Sequence, residues 1–106
     1  ALTAAKPGAA CSAIDGAARG LIETAGYGAA FSHRTGHGLG VDVHEPPYMT
    51  ASNDQALTAG NVFSIEPGIY LTDAFGIRLE DIVHLGPGGP EVLSGLSRKV
   101  LQIAPR

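Results

Sequence analysis

From Gly26 onward, glycine or proline interrupts the chain at short intervals and leaves little room for a long helix. Fifteen glycines and seven prolines stand among 106 residues, and such residues mark tight turns. What lies between them reads as short strands. Asn61–Glu66 is apolar and β-branched and ends at Pro67-Gly68. Ile69–Leu71 and Ile77–Leu85 read as two strands of a hairpin, joined by the five-residue loop 72–76. Gly86–Pro90 is a turn cluster, and Glu91–Leu93 and Lys99–Ile103 are further candidate strands.

One segment has a different period. Ile14, Ala17, Ala18, Leu21, Ile22 and Ala25 recur at helical spacing. They define an amphipathic helix over residues 12–25, closed by Gly26 at its C-terminal cap. Ser12-Ala13-Ile14-Asp15 resembles a capping box with aspartate in place of glutamate. Residues 1–8 read as a frayed end, closed by Pro7-Gly8. The expected class is α+β: one amphipathic helix followed by a mostly antiparallel, curved sheet.

Charge and composition remove several functions. Ten acidic and seven basic side chains give a net charge of −3, whereas a nucleic-acid binder needs a basic surface to displace counterions. No apolar run approaches the roughly 18 residues of a membrane span, so neither nucleic acid nor membrane is an expected partner. Cys11 is the single cysteine. It rules out an internal disulfide framework and gives no sign of an oxidising compartment; a cytoplasmic protein is the expectation.

The chemistry is concentrated between Phe31 and Pro47, where three of the four histidines lie within twelve residues. Neutral imidazole is the commonest transition-metal ligand and the usual proton carrier near neutral pH. His33 and His37 are four apart, which in a strand puts them on one face. His44 is seven from His37, so a straight strand sends it to the other face. Gly36, Gly38 and Gly40 supply the bends that bring it back. A histidine taken singly is more often structural, and His84, outside the cluster, keeps that reading.

Two carboxylates strengthen the pattern. Glu66 ends an apolar strand, and Glu80 sits inside the run Ile77-Arg-Leu-Glu-Asp-Ile-Val83, read as part of a strand. Glutamate is disfavoured in strand interiors and costs several kcal/mol to bury unpaired. A metal or an arginine accounts for both, and Arg78, two residues from Glu80, shares its face. Histidine with two glutamates is a mixed nitrogen and oxygen set suited to Zn, Mn, Fe or Co.

Three elements in order, His33-Arg-Thr-Gly-His37-Gly-Leu-Gly with Val43-His44-Glu45-Pro46, then Ser64-Ile-Glu66-Pro-Gly68, then Arg78-Leu-Glu80-Asp81, resemble the metallopeptidases of the pita-bread fold. These are the methionine aminopeptidases, Xaa-Pro aminopeptidases and Xaa-Pro dipeptidases. The resemblance implies His37, Glu66 and Glu80 as metal ligands, with Glu80 bridging two divalent ions (Mn, Co, Zn or Fe). It implies that His44 contacts the scissile carbonyl, that Glu66 also shuttles a proton, and that His33, His44 and Arg78 bind substrate. His33-Arg34-Thr35 before Gly-His, and arginine two residues before the last ligand, resemble the Xaa-Pro peptidases. The implied substrate is a peptide with proline at its second position, split by an activated water.

The family places two further aspartate ligands before the helix. Here only ALTAAKPGAAC precedes it, and Asp42 and Asp54 follow His37. Residues 1–106 are therefore expected to form the C-terminal part of a catalytic domain, with three of five ligands. Such a piece would be inactive alone, hold at most one metal weakly, and self-associate or form a homodimer. Two other readings stand beside this one. The first is a non-catalytic pita-bread homologue that binds peptide or protein. The second is a creatinase-like hydrolase working without metals.

Overall fold

A computed structural model describes residues 1–105 of the chain. It contains one helix, α1 (Cys11–Thr24), and seven strands. These are β1 (Gly36–Gly38), β2 (Glu45–Met49), β3 (Val62–Ile65), β4 (Gly68–Tyr70), β5 (Gly76–Arg78), β6 (Asp81–Gly86) and β7 (Gly89–Val92). Five strands form one sheet in the order β2-β1-β3-β6-β7, and β4 and β5 form a separate hairpin. Every pairing is antiparallel, as the sequence predicts.

Alternation along β3 divides core from site. Phe63 and Ile65 point into a core made with Val83 and Leu85 of β6, Met49 of β2 and Leu57. Cys11 and Ile14 cover this core from α1. Ser64, between the two core residues, is equally buried but faces the other way, toward β1. Full burial of an apolar side chain such as Phe63, Val83 or Leu85 contributes about 1.5–3 kcal/mol. Gly36 permits the approach of β1 to β3, because a Cβ there would land on the Ser64 carbonyl oxygen.

The helix ends as its sequence predicts. Gly26 has φ +86°, its amide donates to the Glu23 carbonyl at 2.9 Å, and the Tyr27 amide donates to that of Ile22 at 3.0 Å. This is the paired bonding of a left-handed glycine terminus.

Its start differs from the expectation. Ala10 is the N-cap and offers no side-chain bond. The amides of Cys11 and Ser12 instead donate to the carbonyls of Gln55 and Asn53, at 3.0 and 2.7 Å. Ser12 donates its hydroxyl to Asp54, and Asp15 faces Arg19 and Thr35, so no capping box forms. The buried stripe runs through Cys11, Ile14, Asp15 and Ala18, and Leu21 is left 74% exposed.

Four other expectations are corrected. Residues 1–5 are packed, not frayed: Leu2–Ala4 form a 3-10 turn, and Ala5 is fully buried in the core. The segment 77–85 is two strands, because the chain leaves the hairpin at Arg78 and joins β3 from Asp81. Glu80 thus lies in the break between them, outside any strand. His33 precedes β1 and shares no strand with His37. Residues 99–103 form no strand and are exposed; no neighbouring strand of the sheet reaches them, since the edge strand β7 pairs only with β6.

Candidate metal centre

His37 is the middle residue of β1, and Glu66 follows the last residue of β3. β1 and β3 are neighbours, so the two side chains meet. Nε2 of His37 lies 3.0 Å from Oε1 of Glu66, with both side chains 90% or more buried. Ser64 ties them together: its Oγ accepts the His37 amide at 3.0 Å and donates to Glu66 Oε1 at 2.8 Å. Arg78 Nη1 donates to Glu66 Oε2 at 3.4 Å from the hairpin.

His44 reaches the same place by a reversal of the chain. β1 and β2 pair with a bulge between His37 and Gly38, and a bulge of this kind re-aims the side chains beside it. The ring centroids of His37 and His44 are 4.2 Å apart. His44 is exposed and takes no part in the bonds that join His37, Ser64, Glu66 and Arg78.

The opposite wall is polar too. Nδ1 of His33 is 2.7 Å from the Arg34 carbonyl and Nε2 is 2.6 Å from the Tyr70 hydroxyl. A carbonyl only accepts, so Nδ1 carries the hydrogen, and Tyr70 donates to Nε2. Tyr70 in turn accepts from Arg78 Nε at 2.9 Å, and this bond raises the Arg78 pKa further above its ordinary value. His33, Arg34, His37, His44, Thr50, Glu66 and Arg78 together line a pocket of about 460 Å³.

Sequence reasoning gave no role at the site to Tyr70 and Thr50, and named Arg34 and Ser64 only as parts of motifs. The spacing Glu66-Pro-Gly-Ile-Tyr70 offers a signal for the first, because a turn at 67–68 sends the next strand back alongside the site. Glu80 is not part of this pocket. It is exposed and lines a separate, smaller pocket of about 250 Å³ with Arg78, Asp81 and residues of the 94–98 segment.

The chain matches the model of metallopeptidase family M24 over residues 1–87. It belongs to that family. Among similar proteins, the Xaa-Pro dipeptidase of Lactobacillus delbrueckii subsp. lactis is 46% identical over 100 residues, which is 94% of this chain and 27% of the relative. The X-Pro aminopeptidase of Thermotoga maritima shares 45% identity at a TM-score of 0.89, covering 92% of this chain and 28% of that one. The prolidase of Pyrococcus horikoshii shares 37% at a TM-score of 0.91, covering 94% and 29%. The M24 chain therefore has the pita-bread fold of these peptidases over a stretch that spans about a quarter of their length.

An M24 metallopeptidase implies divalent metal, and two donors here suit one. Nδ1 of His37 is 2.9 Å from the Gly38 carbonyl, so it carries a hydrogen and leaves Nε2 as the free donor, the arrangement that orients a ligating histidine. That nitrogen faces a carboxylate oxygen across 3.0 Å. Two acceptors so placed are satisfied by a cation shared between them, a proton or a metal. Glu80 does not converge on the pair, and the described residues hold no group of three His, Cys, Asp or Glu side chains arranged for a metal.

Proposed function

We propose that this M24 chain is the C-terminal part of the catalytic domain of a Xaa-Pro metallopeptidase, an aminopeptidase or dipeptidase, that cleaves before proline. The observation that carries the proposal is the buried His37–Glu66 pair opening onto a pocket walled by His33, His44 and Arg78. The names of the relatives support it. His37 and Glu66 would hold a metal here, and the family resemblance gives Glu80 the same role, although its side chain stands in the neighbouring pocket and would have to turn in to reach them. When bound, two divalent metals supply an activated water and polarise the carbonyl.

The chain's own residues do the rest. Ser64 and Arg78 hold Glu66 in place through its two oxygens, one each, which keeps the carboxylate oriented for proton transfer. His44, free of that network, is available to the carbonyl oxygen, where a donor stabilises developing charge. His33, locked by Tyr70 and the Arg34 carbonyl, forms the substrate wall.

Two experiments test this. Mn or Zn titrated into the chain is expected to bind weakly at a single site, and His37→Ala is expected to abolish that binding. Equal binding by both proteins would remove His37 from the ligand set. In the second, the chain alone with Mn, Co or Zn is expected to turn over neither Xaa-Pro dipeptides nor Xaa-Pro tripeptides, while the full-length protein cleaves them. Turnover by the chain at the rate of full-length relatives would overturn the partial-domain reading. A full-length protein that binds such peptides without cleaving them would favour a binding module.

A further inference from the structure

Behind the pocket lies a charged pair that the proposed chemistry does not use. Asp15 on α1 is fully buried, and Arg19, one turn later, grips it with two bonds, Nε to Oδ2 at 2.9 Å and Nη2 to Oδ1 at 3.0 Å. Neither residue lines the pocket. Burial alone would push the Asp15 carboxyl up, but the hydrogen bonds from Arg19 and Thr35 hold it below the ordinary value. A buried ion pair adds little net stability compared with apolar residues of the same volume, so stability is a weak reason for it. Its hydrogen bonds give a better one.

Arg19 reaches onward from Asp15 to the segment that carries His33. Nη1 donates to the Phe31 carbonyl at 3.0 Å and Nη2 to the His33 carbonyl at 2.9 Å. The guanidinium lies 4.2 Å from the Phe31 ring centre, and that ring meets His33 edge-on, with centroids 5.2 Å apart. Asp15 reaches the other wall. Its Oδ1 accepts the Thr35 hydroxyl at 2.7 Å, and the Thr35 carbonyl accepts the Glu66 amide at 2.7 Å. One ion pair thus touches the backbone beside His33 and, through Thr35, the backbone of Glu66.

We propose that Asp15 and Arg19 are positioning residues of this site: together they fix where the His33 ring and the Glu66 carboxylate stand relative to each other. The assignment rests on the peptidase reading only in treating His33 and Glu66 as site residues. The fixed fork of arginine is what allows one side chain to serve Asp15 and two carbonyls at once, and lysine has no equivalent.

Nuclear magnetic resonance on the whole chain tests this without reference to turnover, so its failure leaves the peptidase reading untouched. In the wild type the Arg19 Nε and Nη protons are expected to be individually resolved and protected from solvent exchange. Free exchange of these protons would overturn the proposal. Arg19→Lys keeps a cation opposite Asp15 but loses the fork. It is expected to shift the His33 ring signals and lose the protected Tyr70 hydroxyl proton, while the signals of His84, which bonds to Glu91 at the surface, stay in place. Asp15→Asn is expected to move the Thr35 and Glu66 amides as well. Ile14→Val, on the same buried stripe, lowers stability without touching the network and is expected to leave His33 unshifted. Unshifted His33 signals in a folded Arg19→Lys chain, or an equal shift in Ile14→Val, would show that the pair only stabilises the fold. Should a variant fail to fold, the exchange measurement on the wild type still decides.

Discussion

In a full-length protein with the proposed peptidase activity, His44→Ala is expected to keep its fold and its metal and to lose about 10²–10³ in kcat, the usual cost of removing one donor to a developing oxyanion. His44 stands against the His37 ring but outside the hydrogen bonds that hold His37, Ser64 and Glu66, so its loss leaves the His37–Glu66 pair intact. A contact made only in the transition state lowers kcat and kcat/KM together. His37→Ala, by contrast, is expected to lose metal as well as activity. Metal analysis and steady-state kinetics on both variants check this. A metal-free His44→Ala protein would exchange the roles assigned to the two histidines, and near-normal kcat would make His44 structural.

The largest effect on stability is expected from Phe63→Ala. Phe63 is fully buried at the centre of β3, where the core shared by α1, β2 and β6 converges. Truncating a buried phenylalanine costs about 3–5 kcal/mol, because the cavity adds to the lost transfer energy. Each kcal/mol is worth roughly 4 °C or more in a chain of this size, so thermal unfolding should show a fall of roughly 12 °C or more. Leu21→Ala, at a position 74% exposed, is the control and should change stability by about 0.5 kcal/mol or less. A Phe63→Ala protein that melts with the wild type would mean that β3 is not the centre of the core.

The strand that carries Phe63 was legible in the sequence as an apolar, β-branched run cut by Pro67-Gly68, and so were the helix end at Gly26 and the turn at 86–90. The histidine cluster with Glu66 was legible as a motif. Its geometry was less so: the approach of His44 to His37 depends on a bulge between His37 and Gly38, and the irregularity of register that makes a bulge is a property of two strands together. Asp15 shows the same limit. Its spacing from Ser12 suggested a cap, yet its partners Arg19 and Thr35 lie four and twenty residues along, and the cap itself comes from backbone carbonyls at 53 and 55, which no side-chain pattern can announce. Glu80 was expected in a strand because Ile77, Leu79, Ile82, Val83 and Leu85 read as the apolar positions of one continuous strand. The break after Arg78 arises because the hairpin and the five-stranded sheet compete for that segment, and each takes one end of it.

That division gives the hairpin a stability of its own. Tyr70 and Arg78 belong to β4 and β5, whose ladder is separate from the main sheet, and residues 71–80 are all exposed. The cross-links from those two side chains are the bonds of Tyr70 to His33 and of Arg78 to Glu66. Opening the hairpin therefore breaks few buried contacts, and segments of that kind open at a fraction of the free energy of global unfolding. Amide hydrogens of Ile69, Leu71 and Ile77 should exchange with solvent long before those of Phe63 and Val83. The pocket thus has one wall that unfolds only with the molecule, bearing His37 and Glu66, and one that can melt locally and re-form, bearing the cation that steadies the glutamate.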